Sequence, residues 1–205
     1  MSPVSPLKAL AYAGAAAVAL GLTPAVAAPA QAGAPARAVA GVDRYRDGSA
    51  ELHLDNRAQQ QTNWCWAATG SSIAAYKGRS VSQNDFCNLA FRRSRGSCPN
   101  DQASLANDQQ AYRALGLNPG RYVYDALGFD VVTREINADR PVLTRIEWSS
   151  GGGHMMAIVG VDPRGGRVEW YNPWPSDRRI NVASYDYYVE NADFAWTHSL
   201  YGIGA

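Results

Sequence analysis

An α+β fold in two lobes is what this 205-residue sequence predicts, and three observations predict it. Helix-like patterns fill the chain from Asn63 to Leu115 and return just before Pro141. After Pro141 the character switches to strand-like runs separated by "SSGGG", "DPRGG" and "PSD". Once the N-terminal leader is set aside, about 160 residues remain, enough for one domain with a real core.

The leader reads as an export signal. Lys8 supplies a basic start, and "ALAYAGAAAVALGL" (9–22) is uncharged and apolar. That run is shorter than the ~20 residues that span a bilayer. Ala25-Val26-Ala27, Ala28-Pro29-Ala30 and Ala30-Gln31-Ala32 all fit a small-x-small cleavage site. The expectation is a signal peptide over 1–27, cleaved as late as 32, and a secreted, extracellular protein with no stable membrane association. Residues 28–45 are expected to be a disordered Ala/Pro/Gly-rich lead. The folded domain then covers 46–205, with a helical lobe over about 56–120 and a sheet lobe over about 121–205.

Within the domain, "AELHLD" (50–55) alternates like a short strand. The next segment predicts a helix over Trp64–Lys77, capped by Asn63 or Thr62 and stopped by Gly78. Ala67, Ala68, Gly70, Ser71, Ala74 and Ala75 make it slim, so neighbours can approach closely and its place is central. A second helix starts at Ser82, with Asp85 three residues on in a near capping-box pattern. A third runs over Gln102–Leu115 to Gly116, and a fourth over Val131–Ala138, capped by Asp130. "PVLTRIEW", "HMMAIVGVD", "GRVEWYNPW", "RRINVASYDYYVE" and "AWTHSLYGI" then read as strands.

The composition excludes several functions. Formal net charge is +1, so nothing draws the chain generally to nucleic acid or anionic membrane. The cysteines have no metal-ligand spacing, and there is no HExxH or CxxC, so neither metal nor cofactor is expected. "SSGGGH" lacks the Lys-Ser/Thr of a phosphate loop, and "AATGSS" is not a GxSxG elbow.

There are three cysteines, Cys65, Cys87 and Cys98. In an oxidising compartment two should pair. Cys87 and Cys98 bracket a short basic loop, and closing it stabilises by roughly 3 kcal/mol on the loop-entropy model. Cys65 is left over. It falls in the first turn of the predicted helix, where unpaired N–H groups and the positive dipole end favour a thiolate. This makes it a candidate nucleophile. Gln59, Gln60 or Gln61 could join the Cys65 N–H in binding an oxyanion.

A cysteine nucleophile needs a base. His53 sits in a presumed strand ahead of the cysteine, and His198 fits a packed residue. His154 opens an apolar strand after three glycines, where it can reach across a cleft from a rigid support. Asn172 ends the next strand-like segment and can accept the imidazole N–H, fixing its tautomer. Trp174 can shield that bond. Asn172-Pro173 also reads as ordinary turn chemistry.

Together, "QQQTNWCWAA", "GGGHMMAIVGVD" and "YNPWP" resemble the papain-like cysteine peptidases, in particular the short bacterial branch of AvrRpt2-type and staphopain-type enzymes. The resemblance spans about residues 50–205. It implies a papain-like two-lobe fold, with Cys65 in the helical lobe and His154 and Asn172 in an antiparallel sheet or barrel lobe. It selects Gln59 as the oxyanion donor, and it gives Cys65, His154, Asn172 and Trp174 the roles of nucleophile, base, orienting residue and cover. The implied activity is a secreted endopeptidase acting through a thioester acyl-enzyme. Its partners would be a protein or peptide substrate and a proteinaceous inhibitor, and the chain is expected to be a monomer. Two alternatives stay open: a Cys-His amidase, deamidase or transglutaminase-like transferase, and a non-enzymatic binding module on a peptidase scaffold.

Overall fold

The computed structural model describes residues 41–204. The expected signal peptide and the lead as far as residue 40 lie outside them. Two short strands come first, β1 (Val42–Arg44) and β2 (Ala50–Leu52), followed by helices α1 (Cys65–Tyr76), α2 (Gln83–Ala90) and α3 (Leu105–Ala114). Then come β3 (Pro119–Val123), α4 (Phe129–Asn137), β4 (Val142–Trp148), β5 (Gly153–Asp162), β6 (Arg167–Tyr171), β7 (Ile180–Ser184), α5 (Tyr185–Val189) and β8 (Phe194–Ile203). The α+β architecture of helices on one antiparallel sheet is the expected one.

The sheet has the order β1-β2-β5-β4-β8-β3, with β6 on the other edge of β5 and β7 beyond it. β5 is the hub. β4 covers one edge from Gly153 to Ile158, β2 continues along it at Gly160 and Val161, and β6 takes the opposite edge. Its buried run of Met155, Met156, Ala157, Ile158, Val159 and Val161 has packing on both faces, which explains the near-continuous apolar sequence.

α1 packs against β5, α2 and α3. Every residue from Trp66 to Ala74 is buried, so the slim helix is central as the small residues foretold. At Gly70 an added Cβ would lie 2.5 Å from the Phe86 ring and 2.7 Å from Asp108 Oδ1. Gly70→Ala should therefore destabilise the fold by about 1–2 kcal/mol, because overpacking outweighs the roughly 1 kcal/mol of helix propensity gained. Urea denaturation checks this, and an unchanged or higher midpoint would contradict it.

Several expectations are corrected. Residues 42–44 belong to the lead but form a strand, because pairing with β2 satisfies their backbone whatever their composition. β2 is shorter than 50–55. The two lobes are not consecutive stretches: β1 and β2 precede the helices yet join the sheet, and α4 follows residue 120. α3 starts at Leu105 rather than Gln102, because Ser104 and Asn107 form a capping box there. α4 starts at Phe129, and Asp130 pairs with Arg134 at 2.6 Å instead of capping. The run "SYDYYV", read as part of a strand, holds the helix α5, since Ser184 accepts the Tyr187 N–H as an N-cap.

Cys87 and Cys98 form the expected disulfide, buried at the end of α2 with a sequence separation of 11. Among the described residues, no helix is long and apolar enough to cross a membrane and no side-chain cluster could hold a metal ion.

Candidate active site

A cavity of about 390 Å³ lies where the start of α1 meets the start of β5. Cys65, the first residue of α1, and His154, the second of β5, both line it, together with Trp66, Trp148, Trp174 and Asp177.

The helix brings Cys65 there with its end uncapped. Neither expected cap acts. The Asn63 side chain donates to the Asn100 carbonyl at 2.9 Å, and Thr62 Oγ1 accepts from Asn100 Nδ2 at 2.8 Å. The N-cap residue, Trp64, makes no side-chain cap, and the Trp66 N–H of the first turn bonds the Cys65 sulfur instead. The flanking tryptophans anchor the turn rather than face solvent. Trp64 Nε1 donates to the Pro99 carbonyl at 3.1 Å and Trp66 Nε1 to that of Asp101 at 3.0 Å. The loop they hold begins at the disulfide residue Cys98, so the cross-link supports the nucleophile turn.

His154 is buried and its ring is fixed on several sides. Its Nε2 lies 2.8 Å from Asn172 Oδ1. The same Oδ1 accepts the Trp174 N–H at 2.9 Å, while Asn172 Nδ2 donates to Asp177 at 3.2 Å. These contacts assign oxygen and nitrogen of the amide without ambiguity. Since Oδ1 can only accept, neutral His154 carries its proton on Nε2, and Nδ1 is left as the basic atom. Trp148 stacks on the ring at 6.1 Å between centroids, and Trp174 meets it edge-on at 6.3 Å.

Asn172 is itself clamped. Its N–H donates to the Arg179 carbonyl at 2.9 Å and its carbonyl accepts from Arg179 Nε at 2.7 Å. Arg179 also bonds the carbonyl and side-chain oxygens of Asn56, on the segment leading to α1. The Gln59 N–H donates to the Pro173 carbonyl at 2.9 Å. These bonds tie the segment before the cysteine to the loop carrying the asparagine.

Burial dominates the electrostatics. It pushes the Cys65 thiol up to about 11, against hydrogen bonds from the backbone of Met155 and Trp66 that favour the thiolate. It also holds His154 below the ordinary imidazole value, although Asn172 and Asp177 pull upward. The lowered thiol expected from the helix end is therefore not what the resting site has. Taken singly, both shifts disfavour the charged form of the side chain.

Of the expected residues, Cys65, His154 and Trp174 line one cavity, and Asn172 stands directly behind His154. Gln59 does not join them. It is buried, both its N–H groups are engaged by the Gln61 and Thr62 carbonyls at 2.9 Å, and its Oε1 has no partner. Gln60 and Gln61 are exposed. His53 pairs with Asp43 at the surface, and the His198 ring meets Tyr122 at a tilt and Tyr124 edge-on.

Sequence reasoning missed Trp148, Asp177 and Arg179. Trp148 was within reach: pairing "IEW" with "GGH" across a hairpin puts Ile146 opposite His154 and Trp148 diagonal to it on the same face. Asp177 and Arg179 carry no local signal, because their partners are set by how the loop folds back.

The chain is similar to known proteins in sequence pattern and in fold. The family model described as papain-like cysteine protease AvrRpt2 matches residues 47–193. No curated protein matches the chain. Among solved structures, the peptidase domain of Streptococcus ComA, a bi-functional ABC transporter involved in a quorum sensing pathway, is similar at 15% identity and a TM-score of 0.53. That match covers 74% of this chain and 96% of the other. A double glycine motif protease from an AMS/PCAT transporter, solved with its leader peptide, is similar at 14% identity and a TM-score of 0.48, covering 74% and 92%.

Proposed function

The chain belongs to the AvrRpt2 family of papain-like cysteine proteases, and from that premise we propose that it is a secreted endopeptidase whose catalytic residues are Cys65, His154 and Asn172. The observation that carries the triad is the 2.8 Å bond from His154 Nε2 to Asn172 Oδ1, which leaves Nδ1 as the base in the cavity that holds the thiol. Secretion rests on the leader sequence.

His154 Nδ1 takes the Cys65 thiol proton and the sulfur attacks the scissile carbonyl. The Cys65 N–H, at the uncapped start of α1, donates to the oxyanion. Gln59 becomes a second donor by releasing the Gln61 or Thr62 carbonyl. Collapse of the adduct breaks the C–N bond, and the imidazolium protonates the departing amine. This leaves a thioester on Cys65. Water then adds to the thioester with His154 again accepting a proton. The acid leaves and the thiol regains its hydrogen. The net change is one water added across one amide.

Treatment of the mature protein with the epoxide inhibitor E-64 should give one adduct, on Cys65, and abolish casein cleavage. Mass spectrometry locates the adduct. Casein cleavage that persists in fully modified protein, or a protein that neither reacts nor cleaves, would reject the reading.

A further inference from the structure

We infer that Arg145 forms a carboxylate-binding subsite that draws an acidic side chain of the peptide substrate into the cavity beside Cys65. This deepens the peptidase reading and rests on it. Arg145 lies on β4 directly opposite Met155, the residue after His154, and its side chain lines the cavity. Only one of its three nitrogens is engaged. Nη1 donates to Thr197 Oγ1 at 2.8 Å and to Glu147 at 3.2 Å. Among the described residues, Nε and Nη2 have no partner.

Those two nitrogens are the ones that lie over Gly153, each 2.8 Å from where a Cβ would stand. With no side chain there, the guanidinium lies close against the β5 backbone, and its Nε–Nη2 edge carries no hydrogen bond among the described residues. Its two N–H groups point in parallel, which is the geometry that receives both oxygens of a carboxylate. Thr197 and Glu147 hold the opposite side of the fork. They orient it without covering that edge, and Glu147 is itself largely exposed. The Arg145 side chain is only 27% exposed, so a carboxylate there meets a partly desolvated charge and gains more than at an open surface.

The surroundings favour a peptide side chain as the source of that carboxylate. A second cavity of about 280 Å³ shares Ala103, Arg145 and Met155 with the first and continues past Tyr122 and His198. A chain lying across Cys65 thus has a path over Arg145. The acid of the catalytic cavity, Asp177, belongs to the Asn172 loop, where it would repel a second carboxylate.

The test separates binding from turnover. Peptides carrying a single Glu at successive positions, and their Gln isosteres, are titrated against the full-length Cys65→Ala protein. At one position Glu should bind on the order of tenfold tighter than Gln. Adding Arg145→Ala should erase the difference, and Arg145→Lys should keep part of it, since a point charge attracts without the fork. Equal affinities at every position, no binding by any of the peptides, or a Glu preference surviving Arg145→Ala would overturn the proposal. In the unmutated protein, casein cleavage without Glu–Gln discrimination defeats the subsite alone. Glu-selective binding with neither cleavage nor an E-64 adduct defeats the peptidase reading alone.

Discussion

Replacing His154 by alanine should lower kcat/KM on a peptide substrate by on the order of 10⁴-fold, as expected when a general base paired with a nucleophile is removed. Cys65→Ala should abolish turnover, because no other described residue in the cavity is a free thiol. The stronger test is the thiol itself. Burial drives it up to about 11, so a thiolate at neutral pH needs His154 to accept the proton. In His154→Ala, alkylation by iodoacetamide should be slow at pH 7 and rise about tenfold per pH unit toward that value, following the thiolate fraction. The unmutated protein should react faster near neutrality. Alkylation at the same rate in both would remove His154 from the mechanism. Asn172→Ala should cost less, roughly 10²-fold, because the imidazole keeps its chemistry and loses only its fixed tautomer and aim. A loss equal to that of His154→Ala would mean that Asn172 does more than orient.

Asp108→Asn should make the protein more stable at pH 8 while leaving it little changed at pH 4. Asp108 lies on α3 against Gly70 of α1, fully buried, and neither carboxyl oxygen has a hydrogen-bond partner. Loss of hydration pushes its carboxyl well above the ordinary range. In the unfolded chain the same group releases its proton near pH 4. Between those two values the native state holds a proton that the unfolded state has lost. Stability therefore falls as pH rises through that window, by on the order of 1 kcal/mol per pH unit, and is fully present only below it. Asparagine has nearly the same shape and no proton to lose, so the slope should vanish. Glu169, pushed up to about 7 by burial and by neighbouring Glu51, adds a slope of the same sign in both proteins. The difference between the two chemical-denaturation profiles isolates Asp108. Identical profiles from pH 4 to pH 8 would show that the carboxyl ionises without penalty. The neutral form also suits the site, because a charge at Asp108 would raise the Cys65 thiol further.

The match between sequence and structure is uneven for physical reasons. The helix around Cys65, the His154 strand and the Cys87–Cys98 pair were legible because each depends on local composition or on simple counting. The small residues of α1 announced a buried helix, and the glycines before His154 announced a turn. Caps were less legible. Asn63 and Thr62 are good capping residues, yet Asn100, 37 residues away from Asn63, takes them both. Gln59 was chosen by resemblance, but which way its amide points depends on two carbonyls within its own loop.

By itself the sequence determined that the odd cysteine lies in the first turn of a helix, that an apolar strand begins at a histidine, and that an Asn-Pro-Trp turn follows. Periodicity, turn residues and cysteine parity are properties of neighbouring positions, and they survive without a fold. Only the tertiary structure decided the electrostatics and the supports. The thiol rises because packing around the start of α1 strips away much of the water that would have solvated a thiolate. The imidazole tautomer is fixed because the Asn172 loop folds back so that Trp174 and Asp177 define its amide. A pKa and a hydrogen-bond direction depend on what surrounds a group in space, and residues distant in the chain supply most of those surroundings.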